Sequence, residues 1–369
     1  MNACALLVLP ALFAAPLLCP NGMGIPGADA PQPTAPAPAP LTCLDVVAAP
    51  GGAGALAITG ARDGQLKVWT VSPDGALSVE DVGALPGAVV AVRWSQAARA
   101  STWSGRPAFF ALDDGGHVAR VTDGVTLIGR DSSGAQDLAL VPGGPGGLGG
   151  VEADELLATA GTDGAIRFWA VVSSAGVASE PVGVLEGHTG PVAALAFTPP
   201  DRKSQLWSGG WDKTLRGWRL KLSGKPGARR VSGRDDDTAG GERELTALAA
   251  SPGGAALLSA SFDGALRLWS LGRKGATPTV LPQRPYQEWV RQLTFSSDGR
   301  RAVAVAPAEA LLLVVDLAEP TRAQALPQGT LIPAAAAFLP WGDLLVARFD
   351  GQLGQVELAP AASEKGDAK

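Results

Sequence analysis

Histidine, cysteine, methionine and tyrosine are scarce in this chain of 369 residues, with 2, 3, 2 and 1 copies. Charged residues make up only 18%, and no CxxC or CxxCH occurs. Each shortage removes a class of chemistry. Two histidines and three cysteines cannot furnish several metal sites, and zinc ribbons and attached c-type haem are excluded outright. No metal site and no cofactor are expected. A net charge of −5 offers no footprint for phosphate backbones, so nucleic acid is not an expected partner. Glycine has no strict period of three, which excludes collagen. A hydrophobic content of 46% argues against disorder throughout.

Basic residues are missing altogether before Arg62. Residues 5–18 (ALLVLPALFAAPLL) are uncharged and apolar, and residues 31–40 (PQPTAPAPAP) form a Pro-rich spacer. The apolar run is too short for a membrane span and fits a signal-peptide core, so residues 1–41 are read as leader plus spacer. Ala28-Asp29-Ala30 has the small-x-small form of a cleavage site, with Pro31 directly after it; Gly22-Met23-Gly24 is a second candidate. Cys19 follows Leu17 and Leu18, where a lipoprotein box needs a small residue. The expectation is export to the periplasm or beyond, with no membrane span in the mature chain. The missing basic n-region keeps a cytoplasmic chain with an N-terminal tail as the alternative. Cleavage leaves Cys43 as the one cysteine and hence no internal disulfide.

What the chain has in quantity is 48 Gly, 30 Pro and 10 Trp. The first two argue for many turns and short elements. Four segments share one spacing, Ser or Thr, then Asp four residues on, then Trp six residues after that. They are Thr59/Asp63/Trp69, Thr159/Asp163/Trp169, Ser208/Asp212/Trp218 and Ser259/Asp263/Trp269. Three degenerate copies place Asp114, Glu309 and Asp350 at the Asp position, with Arg120, Val315 and Val356 at the Trp position. The seven anchors recur about every 48 residues and nearly exhaust the chain after residue 41. Each Asp-Gly, or Asp-Lys in one copy, lies between short alternating apolar runs, which signals a tight hairpin. Upstream runs such as Val192–Phe197 read as further strands. A lone hairpin is marginal, whereas sheets of three or four strands packed around an axis bury these runs and protect their edges.

This pattern resembles the WD40 β-propeller family over roughly residues 42–358, strongly in four repeats and weakly in three. The resemblance implies an all-β, seven-bladed, monomeric propeller with three degenerate blades and a tail over residues 359–369. The fourth repeat also carries Gly187-His188. In the family such a His joins the Ser/Thr, Asp and Trp in a hydrogen-bonded tetrad, which here implies His188, Ser208, Asp212 and Trp218. The other three good repeats lack the His. The family commonly completes its last blade with an N-terminal strand. The candidate, residues 31–41, contains five prolines. A short, poorly paired closing strand or a three-stranded last blade is therefore expected, with pairing by a retained apolar leader as the third option.

His188 and Asp212 with Ser208 could also form a catalytic set. Recurrence of the same residue types at the same spacing, which an active site does not require, favours a structural role. His117 is expected at a turn or on the surface. Residues 221–242, with Arg229-Arg230 and Asp235-Asp236-Asp237, are expected to form a solvated loop, with weak ion binding as the sharper alternative. GGPGGLGG (143–150) lacks the GxxxxGK[ST] of a phosphate loop.

The resemblance places the residue before each turn Asp on one rim of the central channel: Arg62, Asp113, Thr162, Trp211, Phe262, Ala308 and Phe349. Starts of first strands reach the same rim, at Gln136, Trp289 and Arg291. Trp211, Phe262, Trp289, Arg291 and Phe349 fall on repeats four to seven as one arc, and aromatic and Arg residues are the types enriched in binding hot spots. The expected function is a non-enzymatic scaffold that presents this arc to a peptide or protein partner. The alternative is a propeller-type hydrolase or lactonase with chemistry in the channel, a reading that an inward-facing acid would favour.

Overall fold

The chain divides into Met1–Pro36 and Ala37–Lys369. The computed structural model describes residues 38–52, 54–95, 106–141, 154–172, 180–198, 206–223, 230–240, 243–272, 275–281, 289–319 and 323–358. The apolar leader, Cys19, both cleavage-site candidates, the 143–150 segment, Trp103 and the 359–369 tail lie outside these residues.

Among the described residues, twenty-seven strands form seven antiparallel sheets in chain order. The first holds β1 (Leu41–Ala48), β2 (Ala55–Ala61), β3 (Gln65–Val71) and β4 (Leu77–Ala84). The second holds β5 (Val89–Trp94), β6 (Phe109–Asp113), β7 (His117–Val121) and β8 (Val125–Arg130). The third holds β9 (Ala135–Leu140), β10 (Asp154–Gly161), β11 (Ile166–Val172) and β12 (Gly183–Leu185). The fourth holds β13 (Val192–Phe197), β14 (Leu206–Gly210), β15 (Thr214–Ser223) and β16 (Arg230–Gly240). The fifth holds β17 (Leu245–Ala250), β18 (Ala256–Ser261), β19 (Leu266–Gly272) and β20 (Gly275–Val280). The sixth holds β21 (Gln292–Phe295), β22 (Arg301–Ala306), β23 (Leu311–Asp316) and β24 (Gln324–Pro327). The seventh has three strands among the described residues, β25 (Pro333–Phe338), β26 (Leu344–Arg348) and β27 (Leu353–Val356).

The first strand of each sheet stands beside the first strand of the next, all the way round, and β25 meets β1. These seven strands form the inner ring of a seven-bladed β-propeller. Burial follows the layering. The second strands are covered on both faces, so β2 (ALAITGA) is buried along its whole length and does not alternate. The outer β4 is mostly exposed.

Among the described residues, seven apolar clusters fill the seven gaps between neighbouring sheets. Phe168, Ile166, Leu195 and Trp218 join the third sheet to the fourth, and Leu258, Leu266, Leu293 and Leu313 join the fifth to the sixth. Leu41, Leu44, Ala335, Ala337 and Leu345 close the ring between the seventh and the first. Among the described residues, closure therefore rests on side-chain packing. The described N-terminal strand, β1, pairs with β2 inside the first sheet and adds nothing to the seventh.

The hairpin between second and third strands needs one left-handed residue in every sheet. Gly64 takes it at φ 88°, and a Cβ there would stand 2.2 Å from the carbonyl oxygen of Leu85. Lys213 adopts it at φ 66° without being glycine, which is the Asp-Lys copy of the repeat.

Two expectations need correction. In the second sheet the left-handed residue is Gly116, so Gly115, not Asp114, occupies the turn-Asp position. Ladder register agrees. Phe109 pairs with Val121 just as Leu206 pairs with Trp218, so Val121 and not Arg120 replaces the Trp. The rim residue there becomes Asp114, not Asp113. The reason is local: Asp113-Asp114-Gly115-Gly116 offers two Asp and two Gly, and only backbone pairing selects among them. The second correction concerns residues 221–242. Much of this segment is strand, since β15 pairs with β16 from Thr214↔Gly240 to Ser223↔Arg230. Loop-type composition is overridden because β15 offers an unpaired edge along its whole length.

Candidate functional site

In the fourth sheet the loop before β13 brings His188 over the hairpin of β14 and β15. Nδ1 of His188 lies 2.9 Å from Asp212 Oδ2 and its Nε2 lies 2.7 Å from Ser208 Oγ. The indole N–H of Trp218 donates to the same Ser208 oxygen at 2.7 Å. With Nδ1 donating to the carboxylate, a chain of donors runs from Trp218 through Ser208 and His188 to Asp212, and every polar side chain of the four has a partner. Burial works against the Asp212 carboxylate, but bonds from Thr214, His188 and the Thr189 N–H outweigh it and hold the group below the usual aspartate range. Ser208 is fully buried. The arrangement pins a turn and leaves a would-be nucleophile out of reach.

The shorter networks keep part of this set. Trp69 donates to Thr59 at 2.9 Å, and Asp63 accepts from the Gln65 N–H within its turn. Trp269 donates to Ser259 at 2.8 Å. In that sheet Arg267 reaches Asp263 at 2.8 Å and Ser261 at 2.7 Å. Burial opposes ionisation of Asp263, yet Arg267, Ser261 and the Ala265 N–H bring its pKa down to about 2. A depressed carboxylate stabilises the fold fully above its unfolded value, near 4, and the contribution disappears as pH falls through about 2. Asp263→Asn should therefore be destabilising in urea melts near pH 5, and the gap from wild type should narrow on approaching pH 2. An equal gap at both pH values would contradict this linkage.

The third sheet uses a substitute that the sequence did not reveal. Asp131 sits where His188 sits in the next sheet, fully buried. Thr159 donates to Asp131 at 3.0 Å and accepts from Trp169 at 3.1 Å. Arg167 then bridges Asp131 at 3.1 Å and Asp163 at 2.5 Å. A carboxylate replaces the imidazole, and an arginine supplies the positive charge between two acids.

The remaining histidine also differs from expectation. His117 is half-buried, and its Nδ1 lies 2.9 Å from Asp113, whose side chain is fully buried. Asp113 accepts from the N–H groups of Gly87 and His117 as well. It is an internal clamp of the second sheet.

The inner ring carries polar side chains that tie neighbouring strands. Asp45 accepts from the Val46 N–H at 2.9 Å and, across the gap, from the Trp94 N–H at 2.8 Å. Asp137 does the same for Leu138 and Leu195, and it pairs with Arg93 at 3.1 Å. Gln292 accepts from the Ala336 N–H at 2.9 Å. Burial pushes both carboxyl groups up, against the pull of Arg93 and the backbone donors. These residues lie 44 or more positions apart, and nothing in the repeat spacing singles them out.

At one end of the ring, in six of the seven sheets, a residue after the second strand donates its backbone N–H to the loop that enters the same sheet. Arg62 donates to Pro40, Asp114 to Ala88, Thr162 to Gly134, Trp211 to Pro191, Phe262 to Glu244 and Phe349 to Ile332. Trp211, Phe262 and Phe349 thus share one rim, as do Trp289 and Arg291 at the entry to the sixth sheet. Ala308 lies in the β22–β23 turn. Trp211 is 39% exposed and packs edge-on against Phe262, with ring centroids 6.3 Å apart. Phe262, Trp289 and Phe349 are half-buried. Leu331 and Ile332 are exposed in the loop entering the seventh sheet and extend this apolar rim. Their lack of a repeat-fixed spacing hid them from the sequence.

Among the described residues there is no cluster of three or more His, Cys, Asp or Glu able to hold a metal ion. No curated protein matches the chain. The sequence profile of the WD domain, G-beta repeat, matches residues 179–219 and 232–270, which span most of the fourth and fifth sheets. The chain is thus a seven-bladed β-propeller that carries two matched WD40 repeats in its fourth and fifth sheets.

Proposed function

We propose that the chain is a non-enzymatic interaction platform, and that a peptide or protein partner docks on the rim bearing Trp211, Phe262, Trp289, Arg291 and Phe349. Propellers of this family commonly mediate protein–protein contacts. The observation that carries the reading is Trp211. A turn does not require a tryptophan there, and the equivalent positions of the first three sheets hold Arg62, Asp114 and Thr162. A large, partly exposed aromatic braced by a second ring is the form a hot spot takes. Trp211→Ala and Trp289→Ala, each with an unchanged melting temperature, should lose about tenfold or more of captured partner in a pull-down read by mass spectrometry. Capture equal to wild type would remove the rim from consideration.

The hydrolase alternative would look to Asp45 and Asp137 on the inner strands. Both oxygens of each carboxylate already accept backbone N–H groups, so these acids serve strand attachment in our reading.

A further inference from the structure

Each inner strand is bulged at the rim end. The register slips between Leu41 and Cys43, Val89 and Ala91, Val192 and Ala194, Leu245 and Ala247, and Pro333 and Ala335. In the sixth sheet Arg291 and Gln292 both face Val305. A bulge re-aims the extra side chain. Thr42, Val90, Gln136, Ala193, Thr246 and Ala334 hold this position in the other sheets, and all are uncharged. Arg291 is the one charge on the tier.

Its direction follows from a single contact. Arg291 Nη2 donates to the carbonyl oxygen of Thr42 at 3.1 Å. Because β25 stands between β21 and β1 in the ring, that bond crosses the inside of the ring. A guanidinium has five donors, and among the described residues no carboxylate pairs with Arg291. Asp137 is paired with Arg93, and Asp45 with backbone N–H groups. Burial works against the charge of Arg291. On the adjacent inner strand, the Thr246 hydroxyl is buried without a hydrogen-bond partner. A charged donor set and a neutral hydroxyl are thus left incomplete on neighbouring bulges.

We propose that this tier receives a carboxylate: an aspartate or glutamate side chain of a bound peptide segment enters the ring, pairs with Arg291 and accepts from Thr246, while the segment's apolar side chains cover Trp211 and Phe262. The proposal rests on the interaction reading above and gives its partner a chemistry. Arg–carboxylate pairing supplies the missing acceptors and offsets the cost of burying the guanidinium.

The test uses the whole chain and a displayed library of random dodecapeptides. Enriched peptides should share one Asp or Glu beside an apolar residue. A synthetic peptide from the enriched set should lose about tenfold in affinity when that Glu becomes Gln. Arg291→Gln should bind the Glu and Gln peptides alike, Arg291→Lys should retain the preference, and Thr246→Val should shrink it. Trp211→Ala should weaken both peptides equally. Enriched peptides without a shared acid, or a Glu preference that survives Arg291→Gln, would overturn this proposal and leave the platform reading standing. No enrichment at all would overturn both. Phosphoserine binding more tightly than Glu in an Arg291-dependent way would overturn the commitment to a carboxylate. Melting temperatures of the three channel variants establish that each is folded.

Discussion

Trp169→Ala should lower the unfolding free energy by about 3–5 kcal/mol, the range for deleting a large aromatic from a close-packed core. Trp169 is 1% exposed and lies between the second and third sheets with Leu138, Leu140 and Ile128. The fit is tight from the other side as well, since a Cβ on Gly129 would come within 2.4 Å of the indole. Alanine opens a cavity that neighbouring rigid sheets cannot collapse into, and it strips Thr159 of its indole donor. Trp169→Phe separates the two losses. It keeps most of the volume but removes part of the ring system along with the N–H, so it should cost about 2–3 kcal/mol, less than alanine. Urea midpoints followed by tryptophan fluorescence and circular dichroism check both. An alanine variant within about 1 kcal/mol of wild type would mean that the gap closes by relaxation.

Arg167→Met should be of comparable size, about 3–5 kcal/mol, for a different reason. It leaves Asp131 fully buried with no cation, and Asp163 loses its partner too. The cost comes from the stranded acid, so removing that acid should relieve it. In the second sheet the position of Asp131 is held by Leu85, and that of Arg167 by Ala119, both buried. The double variant Arg167→Met/Asp131→Leu copies that apolar solution and should recover more than half of the loss. A double-mutant cycle measures the coupling. If the two changes simply add, the network is not a coupled unit.

These residues also show what the sequence makes legible. Ser/Thr, Asp and Trp are visible because hairpin geometry fixes their separation, so a period of about 48 residues exposes them together. Asp131 is invisible by the same logic. It performs the job of a histidine with a different residue type, and only the neighbouring Arg167 makes that chemically workable. The inner-ring acids Asp45 and Asp137 fail for another reason. Each acts across a gap between sheets, and such contacts leave no mark on the spacing within a repeat. The rim was legible at Trp211, Phe262 and Phe349, where a turn-adjacent position carries a bulky ring, and illegible at Leu331 and Ile332, which sit in a loop of no fixed length. Residues 221–242 misled because Gly, Arg and Asp are poor strand formers in isolation, while an open strand edge recruits backbone whatever its side chains.

The seam between the seventh and first sheets has a consequence for how the ring is made. Every described sheet is drawn from one continuous stretch of chain, so all strand pairing is local and can form in order as the polypeptide emerges. Among the described residues the faces of β25 and β26 against β1 join opposite ends of the sequence through apolar side chains with no shared hydrogen-bond ladder, supplemented by the Arg291 bond to the Thr42 carbonyl. Loop-closure entropy is thus met once, in a single late docking step. The same step is the first to reverse. Amide hydrogens of the first and seventh sheets should exchange earliest among the strands, as a break propagates from the seam in both directions around the ring.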